Sequence, residues 1–438
     1  MTVPSHNLYD FVYQVTEKRF WMLYFYPWGN KDLVNARWYH NDEESLQDPV
    51  RRLQYTQAEK FYPKQQLNSI SIRNFQPILF CHDQEPLNFD LYSDNSPFYQ
   101  ELLNNVEKQN GFAIPDRNLR LSVLNSWQQQ WILLHSELNS SELARYESTG
   151  QYVGAYWWSH GMLSRDWYRY AEHDPALKTR NIQKDFLIYA RDTAGSRSYR
   201  KDFLNQIAHI ADYCQVGSIR STAVTSDSSA TYDPFDFTST NMSIVLETIF
   251  DHRIHLTEKT LRPLACAHPF MLAAGPGSVK LLQHYGFKTF APWINESYDL
   301  EQDHNRRLAM ITAEMTRISA LPPAEKQALF ETCQRIADYN QQVFFSNEFI
   351  EKIKNELIDN VEMAYQRTGN KLNSDFYLWH RWQKKKHTPE RVFNAVVDYQ
   401  QYNIPLARHL RRNQGSFEQY QRHEHGLDDE SGANGNDV

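Results

Sequence analysis

The chain has little cysteine, no surplus of positive charge and no long apolar run. Its 438 residues include 4 cysteines, which lie far apart and form no CxxC pair. This pattern argues against a zinc site and indicates reduced, buried thiols. The formal net charge of −7 argues against a general attraction to nucleic acid.

The N-terminal residues contain no basic stretch followed by an apolar one, which argues against a signal peptide. The longest apolar runs have the length of strands, so we expect no transmembrane segment and a cytoplasmic location. Hydrophobic residues make up 41% of the chain, which is enough for a substantial core. The length predicts two domains of ordinary size with additional segments.

Short apolar runs recur along the chain, and helical stretches separate them. They cover residues 21–28, 77–82, 131–135, 152–158, 186–190, 243–250, 269–274 and 288–290. Runs this short and apolar are typical of strands that are buried on both faces. The sequence therefore predicts an α/β fold with parallel sheets.

Polar side chains follow four of these runs. They form the groups His82-Asp83-Gln84-Glu85, His135-Ser136-Glu137, Ser159-His160 and Arg191-Asp192. Ligands bind at the carboxyl ends of strands in open α/β sheets, so these groups indicate a shared site. We take His135, Glu137 and His160 as candidates for the acceptor side of this site, meaning the side that would bind a substrate that receives a transferred group. A buried histidine at a strand end is, however, more often structural.

Asp83 and Glu85 are the candidates for a catalytic base. If the chain transfers a group to a hydroxyl with inversion, a carboxylate must take the proton of the acceptor. Two carboxylates directly after a buried strand suit this role, and we favour Glu85. Alternatively, Pro86 forms a turn whose acidic residues cap the next helix.

The triplet Thr257-Glu258-Lys259 opens a helix, with Glu247 ten residues before it. A strand, a Gly275–Gly277 turn and a second helix that begins at Ser278 follow. A helix N-terminus carries free N–H groups and partial positive charge, and Lys259 adds a full charge, which suits a phosphate. Alternatively, Thr257 only caps the helix.

Three arginines follow the run at 186–190, namely Arg191, Arg197 and Arg200. The guanidinium group binds phosphate oxygens in a bidentate manner, so we expect a phosphate contact from Arg197 first and Arg200 second. Alternatively, they belong to a basic loop with surface ion pairs.

Residues 186–300 resemble the donor-binding half of the bacterial alpha-1,3-fucosyltransferases. The signature of that family includes a Glu-Asn pair followed about ten residues later by Thr-Glu-Lys. The corresponding residues here are Glu247 and Thr257-Glu258-Lys259, but Thr248 replaces the Asn. His255 stands where an aromatic residue would stack on the base.

The resemblance implies roles for these residues. Lys259 would neutralise the donor diphosphate, and Glu258 would bind the ribose hydroxyls. Glu247 would contact the sugar or position the loop, and His255 would lie near the base. It also implies a GT-B-like fold of two Rossmann-like domains that face a cleft.

We divide the chain accordingly into five segments. These are an aromatic-rich N-terminal segment (1–75), an acceptor domain (76–180), a donor domain (181–345), C-terminal helices with basic patches (346–412) and a disordered tail (413–438). An amphipathic helix at 346–366 would cross back to the first domain.

The predicted function is transfer of a sugar from a nucleoside-diphosphate sugar to a hydroxyl, with inversion. No DxD-like pair follows a strand in the donor half, so we expect no metal and no cofactor besides the nucleotide-sugar co-substrate. The basic segments Arg381 to Arg391 and Arg408 to Arg412 allow a second reading, in which the acceptor is a hydroxymethylated DNA base. A third is a non-catalytic nucleotide- or carbohydrate-binding protein.

Overall fold

The computed structural model describes residues 12, 21–25, 36–38, 78–82, 86–92, 130–190, 192–217 and 232–368. These residues form two β-sheets with helices packed against them. The strands are β1 (Trp21–Phe25), β2 (Ala36–Trp38), β3 (Ile78–His82), β4 (Trp131–His135), β5 (Tyr152–Tyr156), β6 (Lys184–Tyr189), β7 (Cys214–Gly217), β8 (Thr240–Leu246) and β9 (Phe270–Ala273).

The first sheet has the strand order β2-β1-β3-β4-β5. β1, β3, β4 and β5 run parallel to one another, and β2 pairs with β1 in the antiparallel sense. Every residue of β4 is buried, as expected for a central parallel strand that is covered on both faces. His135 pairs with Tyr156, so β4 and β5 end at the same edge.

The second sheet has the order β7-β6-β8-β9, and all of its pairs are parallel. β8 is the longest strand, at seven residues, and ends at Leu246 directly before Glu247. This places Glu247 at the carboxyl edge of the sheet. The mixed α/β fold with parallel sheets agrees with the sequence prediction.

The helices lie between and after the strands. They are α1 (Phe89–Tyr92), α2 (Ser141–Ser148), α3 (Ser159–Trp167), α4 (Tyr199–Gln206), α5 (Pro234–Thr238), α6 (Glu258–Ala265), α7 (Ser278–His284), α8 (His304–Ser319), α9 (Pro323–Phe345) and α10 (Asn347–Arg367). Within the described ranges, no helix combines the length and the apolar character needed to cross a membrane.

Seven of the eight apolar runs contain a strand, and the prediction for 288–290 is wrong. There the backbone bonds to a side chain instead: the N–H of Lys288 donates to Oδ1 of Asn340 over 2.8 Å, and Nδ2 of Asn340 donates to the carbonyl of Lys288 over 2.9 Å. The sequence reading also missed β7, an edge strand whose Val216 is 55% exposed. An edge strand needs no continuous apolar run, so it leaves a weaker signal.

The cysteines within the described residues are free and buried, as predicted. Burial raises the pKa of Cys214 to about 11 and that of Cys333 to about 12, and it raises the pKa of Cys266 as well. All three are therefore protonated thiols at neutral pH. The side chain of Cys81 lies outside the described residues.

Helix α10 returns to the first sheet after the second sheet is complete. It packs on β5, and Nδ2 of Asn360 donates to the carbonyl of Tyr156 over 2.7 Å. The apolar stripe that predicted the helix is buried; it consists of Phe349, Ile350, Ile353, Leu357 and Val361. This confirms the predicted crossing to the first half of the chain.

A polar network joins α10 to both halves. The hydroxyl of Tyr285, after α7, donates to Oε2 of Glu356 over 2.6 Å and lies 3.4 Å from the hydroxyl of Tyr156. Burial raises the pKa of Glu356 to about 7, although the hydrogen bond from Tyr285 opposes the shift.

This network predicts that stability depends on pH through Glu356. Because its folded pKa lies above its ordinary value of 4.5, Glu356 stabilises the protein below that value, and the stabilisation is lost as pH rises through about 7. We expect Glu356→Gln to remove roughly 2 kcal/mol of the fall in unfolding free energy between about pH 5 and pH 8. Urea unfolding across this range measures it. Glu348→Gln, exposed on the same helix, is the control, and equal profiles for the two variants would refute the network.

A second prediction concerns the turn between β9 and α7. A Cβ on Gly275 would lie 1.8 Å from the carbonyl oxygen of Arg253, so the backbone would have to move. We expect Gly275→Ala to lower the unfolding free energy by at least about 3 kcal/mol. Gly150→Ala is the comparison, because it meets no atom within 4 Å and carries only the strain of its φ of 74°. That strain costs about 1–2 kcal/mol. Similar losses for both variants would show that the close approach is absent.

Candidate functional site

A buried carboxylate organises the carboxyl edge of the second sheet. Glu247 is 0% exposed, and both of its oxygens accept two hydrogen bonds. Oε1 accepts from the N–H of Thr257 over 2.9 Å and from the hydroxyl of Thr260 over 2.6 Å. Oε2 accepts from the hydroxyl of Thr257 over 2.7 Å and from the N–H of Thr248 over 3.3 Å. Glu247 therefore fixes the first turn of α6 against the end of β8.

Helix α6 begins at Glu258, as predicted, and Glu247 holds the residue before it, Thr257, by hydrogen bonds. Thr257 is the N-cap of α6, and its hydroxyl accepts from the N–H of Lys259 over 3.3 Å. The ammonium group of Lys259 contacts the hydroxyls of Thr248 and Thr257, each over 3.2 Å, and Oε1 of Glu258 over 2.8 Å. The Lys259 side chain is 27% exposed. A cation at a helix N-terminus is unfavourable without an anion beside it, and Glu258 supplies that anion.

Glu258 stays ionised although it is buried. Burial alone would raise its pKa, but the charge and hydrogen bond of Lys259, together with the nearby His160 and Arg262, outweigh burial and hold the pKa well below its usual range. Glu258 therefore carries its negative charge at neutral pH. A phosphate oxygen that reached Lys259 would take the place of this carboxylate.

The first half of the chain meets this site through the residues after β4. Leu138 and Ile254 form a two-way backbone bridge, with N···O distances of 2.9 and 3.0 Å. Nδ1 of His255 lies 3.3 Å from both the hydroxyl and the carbonyl oxygen of Ser136. The indole N–H of Trp158 donates to the carbonyl of Leu256 over 2.9 Å. Residues 254–256 thus contact the segments that follow β4 and β5.

His160 is a candidate from the first half that lies beside the α6 site. It opens α3, which packs on α6, and its ring meets that of His255 edge to face at 5.3 Å. Burial, with help from the nearby His255, lowers the pKa of His160 to about 3, so the ring is neutral at physiological pH. Its buried Nδ1 has no hydrogen-bond partner within the described part of the chain.

The other two acceptor-side candidates have structural contacts. Glu137 accepts from the N–H of Leu87 over 2.6 Å and from the hydroxyl of Ser140 over 2.5 Å. Burial raises its pKa even though Arg253 lies 3.6 Å away. Nδ1 of His135 accepts from the N–H of Glu137 over 3.3 Å, and burial lowers the pKa of His135 to about 3. Both residues brace the loop after β4.

The arginines after β6 separate into two kinds. Arg200 is buried and donates to the carbonyls of Asp192 over 2.9 Å and Leu246 over 2.8 Å, with a longer contact to that of Glu247 at 3.2 Å. It holds the end of β8 in place. Arg197 is partly exposed and pairs with Asp192 at 3.2 Å, so it is the arginine with a side chain available to a ligand. Arg191 lies outside the described residues.

The N-terminus of α7, the second helix start, already binds a carboxylate of the protein itself. The carboxylate of Asp299 accepts from the N–H of Val279 over 3.0 Å and from that of Lys280 over 3.4 Å. The N-terminus of α7 therefore has an internal anion, and the turn at Gly275–Gly277 serves packing. Both helix starts carry a lysine, Lys259 at α6 and Lys280 at α7, but at α7 the carboxylate of Asp299 already accepts from the first-turn N–H groups.

Sequence reasoning missed Thr260 and Thr248 as members of the site. Thr257 and Thr260 are three residues apart, which places both hydroxyls on one face of the first helical turn. This spacing, with Glu247 at the end of the preceding strand, could have predicted that both hydroxyls donate to one carboxylate. The contact between Thr248 and Lys259 depends on the loop between them and left no local pattern.

Several predicted features lie outside the described residues. These are Asp83, Glu85, the basic segments Arg381 to Arg391 and Arg408 to Arg412, and the tail at 413–438. Among the described residues, no group of three or more His, Cys, Asp or Glu side chains is arranged to hold a metal ion. Metal independence therefore stays a prediction.

Comparisons with models of known protein families, with curated proteins and with solved structures found no match to this chain.

The anchor yields a prediction for Glu247→Gln. A glutamine side chain would replace one of the two carboxylate oxygens with an NH₂ group. Whichever oxygen is replaced, this NH₂ group would face a backbone N–H that now donates to Glu247, either that of Thr257 or that of Thr248. We expect a loss of about 1–3 kcal/mol in unfolding free energy, measured by urea denaturation. Glu325→Gln, exposed on α9, controls for the loss of one negative charge. A variant as stable as the control would mean that Glu247 does not hold the α6 turn.

Proposed function

We propose that the protein is a glycosyltransferase that moves a sugar from a nucleoside-diphosphate sugar to an acceptor hydroxyl. The observation that carries the proposal is the placement of Lys259. Its ammonium group lies at the N-terminus of α6, at the carboxyl edge of a parallel sheet. This is the position in which α/β proteins bind phosphate-bearing ligands.

The chemistry of the leaving group explains why a lysine is needed there. When the bond between the anomeric carbon and the diphosphate breaks, negative charge grows on the diphosphate. A fixed cation and a helix N-terminus stabilise that charge without reorganisation. Arg197 is the second cation that we assign to the diphosphate. When the donor binds, Glu258 would break its ion pair with Lys259 and accept hydrogen bonds from the ribose hydroxyls instead.

The arrangement of the two sheets supports a GT-B-like cleft. The donor would lie against α6, and the acceptor would enter from the side of β4, β5 and α3. The crossing of α10 back to β5 fits this architecture. Catalysis would proceed with inversion and without metal, and the base would follow β3, whose last residue is His82. We retain Glu85, with Asp83 as the alternative.

A thermal-shift panel with GDP, UDP, CDP, dTDP and ADP, without added metal, tests the donor site. A ligand that binds the folded state alone raises its Tm. We expect one nucleotide to stabilise the wild type and to give a clearly smaller shift with Lys259→Ala. Lys280→Ala is the matched control, because it removes an exposed lysine near the N-terminus of α7, where Asp299 already caps the helix.

The outcomes separate the alternatives. No shift with any nucleotide, or equal shifts for Lys259→Ala and Lys280→Ala, would refute the proposed donor site. A shift without turnover of the matching nucleotide sugar, in the presence of glycan or hydroxymethylated DNA acceptors, would favour a non-catalytic binding protein.

A further inference from the structure

A large cavity lies at the edge of the second sheet opposite the Lys259 site. Its volume is about 990 Å³, within the range of small-molecule sites. Ile182 precedes β6, Tyr213 precedes β7 and Asn241 is the second residue of β8, so the cavity opens at the amino ends of these strands. The turn between α8 and α9 and one face of α9 complete it. The length of β8, roughly 20 Å, separates it from Lys259.

One part of the wall is apolar and open to the cavity. Ile182 and Tyr213 are each 41% exposed, which is unusual for large apolar side chains beside a concave surface. Leu321 and Phe330 also line the cavity. This part of the wall suits the apolar body of a ligand.

The other part of the wall carries positive charge. Nζ of Lys326 lies 4.6 Å from the centre of the Tyr213 ring and 2.9 Å from Oδ2 of Asp185. Arg180 and Arg335 also line the cavity, and neither forms an ion pair among the described residues. Glu331 is the acidic residue on the described wall, and because Asp185 already pairs with Lys326, the positive charge of the wall rests on Arg180 and Arg335.

Arg180 is positioned to serve an anion. It donates to the side chain of Gln334 and to the carbonyl of Thr240 over 2.5 Å, and its buried Nε has no partner in the described structure. Burial lowers its pKa, and the charge of Asp338 opposes the shift. A guanidinium removed from water without a carboxylate contact gains free energy when an anion approaches.

We propose that this cavity binds an amphipathic anion, meaning a ligand with one carboxylate-like head group and an apolar body. The head group would lie near Arg180 and Arg335, and the body would pack on Ile182 and Tyr213. This site is separate from the Lys259 site and does not depend on the proposed glycosyltransferase function.

Titration calorimetry of the full chain with octanoate tests the proposal, with inorganic phosphate and 1-octanol as probes of each half of the ligand. We expect octanoate to bind more tightly than either. Ile182→Glu should weaken octanoate binding at least about tenfold, because it puts a negative charge on the apolar wall. Arg335→Ala should weaken it by about threefold, as expected for one exposed cation.

Matched controls are Leu300→Glu and Arg306→Ala, which make the same changes at exposed positions away from the cavity. Both should bind octanoate like the wild type. No octanoate binding, unchanged binding in Arg335→Ala and Ile182→Glu, or phosphate or octanol binding as tight as octanoate would each overturn the proposal. If Ile182→Glu fails to fold, the surface variant Arg335→Ala decides alone.

Discussion

A carboxylate removed from water costs several kcal/mol unless its oxygens accept hydrogen bonds, and Glu247 accepts four of them. These bonds tie the end of β8 to the start of α6. From the other side, Arg200 donates to the last carbonyls of the same strand. The position of Lys259 thus depends on two buried side chains at the end of β8, the hydrogen-bond acceptor Glu247 and the hydrogen-bond donor Arg200.

The fold surrounds this point with close backbone contacts. The turn at Gly275 presses against the carbonyl of Arg253, and Ile254 pairs with Leu138 from the first sheet. Asp299 neutralises the neighbouring helix start at α7. As a result, the loop from Glu247 to Thr257 is held by both sheets, and the cation of Lys259 has a defined direction even though the side chain is partly exposed.

The sequence predicted the strands well wherever burial on both faces imposed a continuous apolar run, as in β4 and β8. It failed at 288–290, where the amide of the distant Asn340 takes over the backbone hydrogen bonds, and at the edge strand β7. In the site, local patterns were enough to recognise Thr257 as an N-cap. They were not enough to show that the guanidinium of Arg200 donates to backbone carbonyls, because these hydrogen bonds depend on how distant parts of the chain pack together.

Helix α10 covers β5, yet 204 residues separate Asn360 from Tyr156. Chain synthesis proceeds at about 5–20 residues per second, so β5 leaves the ribosome roughly 10–40 s before its covering helix. During this interval the apolar face of the first sheet has no intramolecular cover from α10. Contacts this distant in sequence also close slowly, since chain entropy opposes them. The first half of the protein is therefore made first and completed last, which exposes it to chaperones and to aggregation for longer than the second sheet.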